Sequence, residues 1–264
     1  MIDVNSKTFS SFTMYKEPNT KIIDTETAYA GLRVCLVLQG GAVWKINQQC
    51  YSVGEGDIVL FNDFQKRCIV RYGDSGFTVH VMQLDRRAFV DPSDYLFFCS
   101  CIKNINGVLK GTALSQILKE VYNEDVDTKA HKYELMSAKL TEFFIKAKRL
   151  LSNSGINVRV DEKMIEILDY IDSRVTENIT LKEVAQLAGF TESAFSKRFS
   201  GINGVSFKKY VMSKKIERAV YLLKTTDSKV IDIAFACGFN SISGFYDTFK
   251  KVTGTTPSKI SEII

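Results

Sequence analysis

Two stretches of the C-terminal third, LKEVAQLAGF at residues 181–190 and VIDIAFACGF at residues 230–239, repeat one pattern. In each stretch apolar residues recur at positions i, i+3, i+4 and i+7, as on one face of an α-helix. Each stretch ends in Gly-Phe, and glycine readily adopts the positive φ that terminates a helix. Ala185 and Ala234 leave room for a second helix to approach closely. The pattern predicts two copies of a short helix followed by a glycine turn.

A second helix is predicted after each glycine turn. A residue that favours helix N-caps stands two positions after each glycine, Thr191 in the first copy and Asn240 in the second. The second copy is one residue longer. Two phenylalanines at i, i+4 spacing then anchor each second helix: Phe195 and Phe199, Phe245 and Phe249. We therefore predict two helix-turn-helix units, the motif of many DNA-binding proteins. The alternative is an all-helical domain in which the repeat is a coincidence.

One long helix is predicted between the two units. Phe207–Leu223 reads as a helix of about 17 residues, which would be about 26 Å long. With a unit at either end, it can hold two recognition helices about 34 Å apart, which is one turn of duplex DNA. One chain could therefore enter two successive major grooves on the same face of DNA.

The charge distribution is consistent with a nucleic-acid partner for this part of the chain. The formal net charge is +5, and 13 of the 35 Lys and Arg but only 7 of the 30 Asp and Glu lie from Asn178 onward. The positive excess falls in the C-terminal third, as expected of a region that meets phosphates. Since a basic face is usually only a solvated face, this observation is secondary to the repeat.

The segment from Ile179 to Ser258 resembles the DNA-binding domain of the AraC/XylS family of transcription regulators. The resemblance is carried by Asp232-Ile-Ala, Gly238-Phe-Asn, Phe245, Phe249-Lys-Lys and Thr253-Gly-Thr-Thr-Pro257. It implies a DNA-binding domain over residues 157–264 with two helix-turn-helix units, double-stranded promoter DNA as partner, and contact with RNA polymerase. Lys215, where the family often has arginine, and Asp247, where it often has a basic residue, depart from the family pattern.

Helix geometry and the resemblance together nominate residues for the DNA interface. With the phenylalanines facing the core, about 100° per residue turns a mostly polar face of each second helix outward. The resemblance implies base contacts at three positions on each of these helices, and the helix N-terminus and the lysine pair of the second helix suit phosphates. The predicted DNA-binding residues are Ser193, Ser196, Lys197, Ser200, Ser241, Ile242, Ser243, Asp247, Lys250 and Lys251.

Three of these residues have specific expected roles. Lys197 is the leading candidate for a guanine contact through O6 or N7, with a phosphate contact or a solvated side chain as alternatives. Ile242 is either a plain surface residue or a contact for a thymine methyl. Asp247 is repelled by phosphates unless it accepts from cytosine N4 or braces a neighbouring Lys or Arg. The second helix-turn-helix unit is therefore expected to read bases weakly or to orient the complex through the DNA backbone.

The first half of the chain reads as closely spaced strands and then helices. The strands alternate with Gly-, Asn- and Asp-rich turns, which suggests a small barrel or sandwich. Helical periodicity follows at Ala113–Tyr122 and Lys132–Leu151, and the polar stretch Ser152–Gly155 suits an interdomain linker. The predicted strands are Leu32–Leu38, Ala42–Ile46, Asp57–Phe61, Arg67–Tyr72 and Phe77–Leu84.

The glycine-rich turns of this half carry a second, looser resemblance. Gly40-Gly41 and Tyr51-Ser-Val-Gly-Glu-Gly-Asp57 are similar to the cupin-like sensor barrel common in AraC/XylS regulators. The resemblance implies a sensor and dimerisation domain over residues 1–152. Its barrel would span about 20–100 and its dimerising helices about 110–152.

A metal-dependent cupin enzyme is the rival function for such a barrel. The chain has only two histidines, His80 and His131, and Phe61–Arg67 has none where cupin enzymes hold their metal. No catalytic residues, metal or cofactor are therefore expected, and His80 is expected to be a hydrogen-bonded core residue. The resemblance favours a small-molecule effector, with control by a partner protein or by dimerisation as the alternative. The candidate effector-binding residues are Arg33, Trp44, Tyr51, Arg67 and His80.

Bulk properties indicate a protein of the cytoplasm. Apolar runs such as Ile58–Phe61 and Tyr95–Cys99 fall far short of the about 20 residues of a membrane span, and the first residues lack the pattern of a signal peptide. In a reducing compartment the six cysteines are expected to be buried thiols, with Cys99 and Cys101 as the place to look for a redox switch.

The sequence thus predicts an α+β protein of two domains, an N-terminal cupin-like β-barrel with dimerisation helices and a C-terminal all-α domain with two helix-turn-helix units. The predicted function is sequence-specific DNA binding by a homodimeric transcription regulator, not an enzyme. Activation is the more usual mode in the family, and a small effector is expected to modulate it.

Overall fold

The structure is a computed structural model that describes residues 1–3, 9–17, 31–46, 49–61, 67–104, 107–111, 113–154, 161–203 and 205–261. The chain divides into two compact units, the first made of Met1–Asp24 and Gly31–Val160 and the second built on Asp161–Ile264. The first unit is rich in sheet and the second is helical. The predicted two-domain α+β architecture is therefore confirmed at this level.

Six strands in the described part of the first unit form one sheet. They are β1 (Phe9–Lys16), β2 (Leu32–Ile46), β3 (Gln49–Gly54), β4 (Ile58–Phe61), β5 (Arg67–Leu84) and β6 (Val108–Leu109). In spatial order they run β1, β5, β2, β4 and β6, and β3 also pairs with β2. Each of these pairs is antiparallel.

Two of the predicted turns lie inside long strands. The predicted strands Leu32–Leu38 and Ala42–Ile46 are parts of β2, and Arg67–Tyr72 and Phe77–Leu84 are parts of β5. The pairing of β2 with β5 shifts register near Gly40 and again near Trp44. The glycines that indicated turns therefore lie at bulges, where an irregularity bends a long strand pair without ending it.

The sheet does not close into a ring among the described residues, because β1 and β6 end the path of paired strands. The predicted barrel is therefore unconfirmed and stays a prediction. Apolar side chains of β2, β4 and β5 nevertheless form a buried core. In this core Trp44 stacks on Phe61 with 4.9 Å between ring centroids and meets Phe77 edge-on at 6.2 Å.

Three α-helices lie in the described part of the first unit: α1 (Pro92–Asn104), α2 (Leu114–Val126) and α3 (Lys132–Asn153). The last two correspond to the predicted helices. Of the other elements, β1 lies before the range of about 20–100 expected for the barrel, and α1 occupies the last residues of that range. Tyr95–Cys99 in α1 are all buried, so this stretch shows no amphipathic period from which a helix could have been predicted.

Every regular element in the described part of the second unit is a helix. Its helices are α4 (Glu162–Ser173), α5 (Leu181–Ala188), α6 (Glu192–Asn203), α7 (Phe207–Thr225), α8 (Val230–Ala236), α9 (Ile242–Thr253) and α10 (Pro257–Ser261). The long helix predicted between the two copies of the repeat corresponds to α7. Below, α5 and α6 are called the first helix pair, and α8 and α9 the second helix pair.

Candidate nucleic-acid interface

The first helix pair has the glycine turn and the Thr191 cap that the sequence predicts, together with a further cap at Thr180. α5 begins after Thr180, whose side-chain oxygen accepts a hydrogen bond from the backbone N–H of Glu183 at 3.2 Å. It ends at Gly189, which has a φ of 75°. Thr191 then caps α6 by accepting a hydrogen bond from the N–H of Ala194 at 3.3 Å.

The second helix pair follows the same plan with one difference. Gly238, after α8, has a φ of 77°. The cap of α9 is Ser241, whose hydroxyl oxygen accepts a hydrogen bond from the N–H of Gly244 at 3.2 Å. The prediction of Asn240 as this cap is wrong, because the extra residue of the second copy lengthens the turn and moves the cap one position along the chain.

Buried phenylalanines fix the orientation of α6 and α9. Phe195, Phe199, Phe245 and Phe249 are each 0% exposed. The ring of Phe199 meets that of Phe207 edge-on, with 5.8 Å between centroids. The ring of Phe245 meets that of Phe239 in the same manner at 5.2 Å. Because these rings bury one face of each helix, the opposite face is exposed to solvent.

Most of the ten predicted DNA-binding residues are exposed, on α6, on α9 or at the start of α9. Ser196, Ser200 and Ile242 are half-buried. The Ser200 hydroxyl donates to the carbonyl oxygen of Ser196, and Ile242 packs against the core of the second helix pair. The exposed members are Ser193, Lys197, Ser241, Ser243, Asp247, Lys250 and Lys251. Asp247 forms no ion pair with a Lys or Arg of the described residues. One of its two expected roles, bracing a neighbouring Lys or Arg side chain, is therefore not seen among them.

Arg198, which is not among the predicted DNA-binding residues, has a fixed position on α6. Its Nε donates a hydrogen bond to Oδ2 of Asp161 at 2.5 Å. Its guanidinium carbon lies 5.4 Å from the centroid of the Phe190 ring. The contact joins residues 37 positions apart, and no periodicity in the sequence could have predicted it.

Lys215 is a buried cation beneath the second helix pair. It is 2% exposed, and its Nζ donates a hydrogen bond to the carbonyl oxygen of Gly238 at 2.6 Å. The ammonium also lies 6.0 Å from the centroid of the Phe239 ring. Burial lowers the pKa of Lys215. Lys215, which departs from the family pattern, therefore holds the turn between α8 and α9 from inside the second unit.

Two of the candidate effector-binding residues contact the Phe61 ring, and a third is a strand neighbour of one of them. Trp44 stacks on this ring, and the guanidinium carbon of Arg67 lies 4.6 Å from its centroid. Tyr51 stands opposite Trp44 in the pairing of β2 with β3. The Trp44 indole nitrogen is buried and has no hydrogen-bond partner among the described residues.

Arg33 and His80 occupy other surroundings. Arg33 is 8% exposed and donates from Nη2 to Oε1 of Gln83 at 3.2 Å. His80 is 1% exposed, with Nδ1 3.1 Å from Oγ1 of Thr13 and Nε2 3.5 Å from Oδ2 of Asp125. Burial lowers the pKa of His80, and the charge of Asp125 opposes this shift. His80 is thus a buried core residue that is hydrogen-bonded at Nδ1, as the sequence predicts.

The cysteines do not form the uniform set of buried thiols that was expected. Cys50 is exposed and Cys68 is half-buried, whereas the other four are buried. Burial raises the pKa of Cys101 to about 11. Since the thiolate is the form that reacts with oxidants, this shift disfavours a redox switch at Cys101.

The described residues contain no group of three or more His, Cys, Asp or Glu side chains arranged to hold a metal ion. None of the helices in the described ranges is long and apolar enough to cross a bilayer.

Comparisons with known proteins find similarity mainly in the second unit. The family described as a helix-turn-helix domain matches residues 184–262. An HTH-type transcriptional regulator of Staphylococcus aureus is 35% identical over 107 residues, which make up 40% of this chain but only 14% of that protein. The HTH-type transcriptional regulator YdeC of Bacillus subtilis is 23% identical over 249 residues, 86% of this chain and 82% of that protein.

A solved structure shares the fold of the whole chain. ToxT from Vibrio cholerae has a TM-score of 0.66 and 19% sequence identity, and the match covers 98% of this chain and 99% of that chain. A second ToxT structure, described as bound to an unsaturated fatty acid, has a TM-score of 0.64 and 16% identity over 99% of this chain and 97% of that chain. Both relatives named above are described as HTH-type transcriptional regulators. The C-terminal unit of this chain matches the helix-turn-helix domain family over residues 184–262 and is similar in sequence to the DNA-binding domain of AraC/XylS transcription regulators.

Proposed function

We propose that this protein is a sequence-specific transcription regulator that reads promoter DNA with two helix-turn-helix units, the first and second helix pairs. The observation that carries the proposal is the exposed, mainly polar face of α6 and of α9 opposite their buried phenylalanines. Helices of this kind enter the major groove in helix-turn-helix proteins. The DNA-binding domain would comprise residues 157–264, and residues 1–152 would form the sensor and dimerisation domain.

The proposed contacts divide into base readout and phosphate binding. Lys197 is exposed on α6, and a lysine in the major groove pairs with guanine O6 or N7. Asp247 on α9 suits cytosine N4, since it has no cationic partner in the described chain. Base contacts are proposed for Ser193, Ser196, Lys197, Ile242, Ser243 and Asp247, and supporting or phosphate contacts for Ser200, Ser241, Lys250 and Lys251.

We expect Lys197→Ala to weaken binding to the selected operator by about 5- to 150-fold, the loss of about 1–3 kcal/mol for one base contact. The measurement is fluorescence anisotropy with a duplex selected from a random pool by the wild-type chain. Discrimination at one base pair should relax, while affinity for unrelated duplexes falls little.

Lys250→Ala is the matched control for Lys197→Ala. If Lys250 contacts a phosphate, its loss weakens binding to all duplexes alike and lowers the salt slope by about one. Binding by the Lys197→Ala protein with unchanged sequence preference would contradict the base contact proposed for Lys197.

The N-terminal unit is proposed to bind a small effector near Phe61. The supporting observations are the Arg67 guanidinium over this ring and the unpartnered indole N–H of Trp44, together with the fatty acid described for ToxT. Cations and buried donors of this kind suit an amphiphile with an acidic head and an apolar chain.

A long-chain unsaturated fatty acid is therefore expected to change the fluorescence of Trp44, the only tryptophan of the chain, in a saturable manner. It should also raise the unfolding temperature, because a ligand that binds only the folded state stabilises it. The fatty alcohol of equal length is the control for non-specific partition. No saturable change with the acid, or an equal change with the alcohol, would favour regulation by a partner protein or by dimerisation alone.

The protein is further proposed to act as a cytoplasmic homodimer that activates transcription through RNA polymerase. The support for a dimer is a set of exposed apolar residues on α3, namely Leu135, Ile145 and Leu150. Large apolar side chains on the exposed face of a helix are typical of surfaces that meet a second protein. Activation and the polymerase contact rest on the family resemblance.

A further inference from the structure

Polar side chains of α4 and its N-cap contact three other helices of the second unit. Asp161, the N-cap residue, contacts α6 through Arg198. The Tyr170 hydroxyl donates a hydrogen bond to Glu183 of α5. The Tyr210 hydroxyl of α7 donates to Oδ1 of Asp172 at 3.3 Å. α4 therefore braces both helices of the first helix pair from one side.

The Asp161 carboxylate makes two contacts at once. Its Oδ1 accepts a hydrogen bond from the N–H of Met164 at 3.4 Å, which caps α4. Its Oδ2 accepts the hydrogen bond from Arg198. The Asp161 side chain is only 11% exposed, whereas that of Arg198 is 48% exposed. Because both oxygens are engaged and the group is nearly buried, it is a fixed point for the arginine.

Arg198 is also held from a second direction. The Phe190 ring, in the turn between α5 and α6, lies under its guanidinium group within the range of a cation–π contact. Arg198 directly follows Lys197 on α6, about 100° around the helix axis. A rotation of α6 about its axis would break the contact with Asp161 and turn Lys197 away by the same angle.

We propose that Asp161 is a positioning residue for DNA recognition, which fixes the rotation of α6 through Arg198 and so aims Lys197 at the base edges. The inference rests on the proposed function. The position on α9 that corresponds to Arg198, counted from the two phenylalanines, is Thr248, which is uncharged and cannot form such an ion pair. The effect is therefore confined to the half of the operator that the first helix pair reads.

Asp161→Asn separates positioning from folding, because asparagine caps a helix as well as aspartate does. On the selected duplex, this variant of the full chain should lose about tenfold in affinity, within the loss caused by one missing base contact. Base substitutions in the half-site of the first helix pair should lose their effect, and those in the other half should keep it. The unfolding temperature should stay at the wild-type value.

Arg198→Gln should cause the same loss, and the double variant should lose no more than either single variant, because all three remove one contact. Glu166→Gln and Lys163→Gln are the controls for net charge. Glu166→Gln removes a negative charge, as Asp161→Asn does, and Lys163→Gln removes a positive charge, as Arg198→Gln does. These two residues form an exposed ion pair on α4, with 2.6 Å between Nζ and Oε2, that does not contact α6. Both controls should bind the selected duplex with wild-type preference.

Three results would overturn the proposal. One is wild-type affinity and preference in Asp161→Asn. Another is a rise in affinity for all duplexes with a steeper salt dependence, because Arg198 would then be a phosphate contact that Asp161 restrains. The third is a fall in unfolding temperature that accounts for the lost affinity. Failure of the wild-type chain to select any sequence would instead overturn the proposed function.

Discussion

Replacing Gly238 by alanine will destabilise the second unit by about 4 kcal/mol or more, which is in the range of severe backbone strain and overpacking. The residue has a φ of 77°, a conformation that costs an alanine about 1–2 kcal/mol. An added Cβ would overlap the carbonyl oxygen of Thr176 and lie 2.9 Å from Nζ of Lys215. Neither neighbour can yield easily, since one is backbone and the other is a buried ammonium bound to the carbonyl of Gly238 itself.

Gly189→Ala is the matched control for this prediction. Gly189 has nearly the same φ, 75°, but no described atom lies within 4 Å of a Cβ built there. Its substitution should therefore cost only the conformational strain, about 1–2 kcal/mol. Urea unfolding of the full chain, followed by far-UV circular dichroism, measures both losses. Trp44 fluorescence reports on the first unit and should not change. Equal losses for the two variants would contradict the crowding at Gly238.

The contrast between these glycines shows what a local pattern can predict. Both were recognised from the sequence as helix terminators, because a positive φ after an apolar i, i+3, i+4, i+7 run is a local requirement. The crowding at Gly238 depends on Thr176, which is distant in sequence. No local pattern around Gly238 indicates this contact. Asn240 and Ser241 are both good N-caps, so propensity alone could not choose between them.

Longer-range features were the least predictable. The contact of Asp161 with Arg198 and the burial of Lys215 join helices that are separate in sequence. In the first unit, glycines that favour turns also favour bulges. The sequence therefore predicts two short strands in place of each of the long strands β2 and β5. α1 was missed because its consecutive buried residues show neither a helical nor a strand period. The outward faces of α6 and α9, by contrast, follow directly from their phenylalanine spacing.

Asp57→Ala is expected to destabilise the first unit by about 3 kcal/mol, the usual loss when a buried, hydrogen-bonded carboxylate is removed. Asp57 is 7% exposed and joins the turn before β4 to the segment after β6. Its Oδ2 accepts hydrogen bonds from the N–H of Gly54 at 2.8 Å and from Nζ of Lys110 at 2.7 Å. Its Oδ1 accepts one from the N–H of Gly111 at 3.0 Å. Alanine would leave these donors without their acceptor.

Lys110→Met tests how much of this stabilisation comes from the ion pair. The Lys110 side chain is 60% exposed, so its contribution should stay below about 1 kcal/mol. The backbone hydrogen bonds would then supply most of the effect of Asp57. Urea unfolding followed by Trp44 fluorescence measures both variants within the first unit. A loss in Lys110→Met as large as that in Asp57→Ala would assign the stabilisation to the ion pair instead.

The effect of Asp57 should also depend on pH. Burial by itself would raise the pKa of Asp57, but the hydrogen bonds from Lys110, Gly54 and Gly111 and the charge of Lys110 together hold it below its usual value. A carboxyl group with a lower pKa in the folded chain stabilises the fold above its unfolded pKa, about 4, and loses this effect as the pH falls through the folded pKa. The difference in unfolding free energy between wild type and Asp57→Ala should therefore be complete at pH 7 and shrink below about pH 4. A difference that stays constant over this range would mean that the ionised carboxylate is not the source of the stability, because a neutral acid makes weaker hydrogen bonds to the same donors.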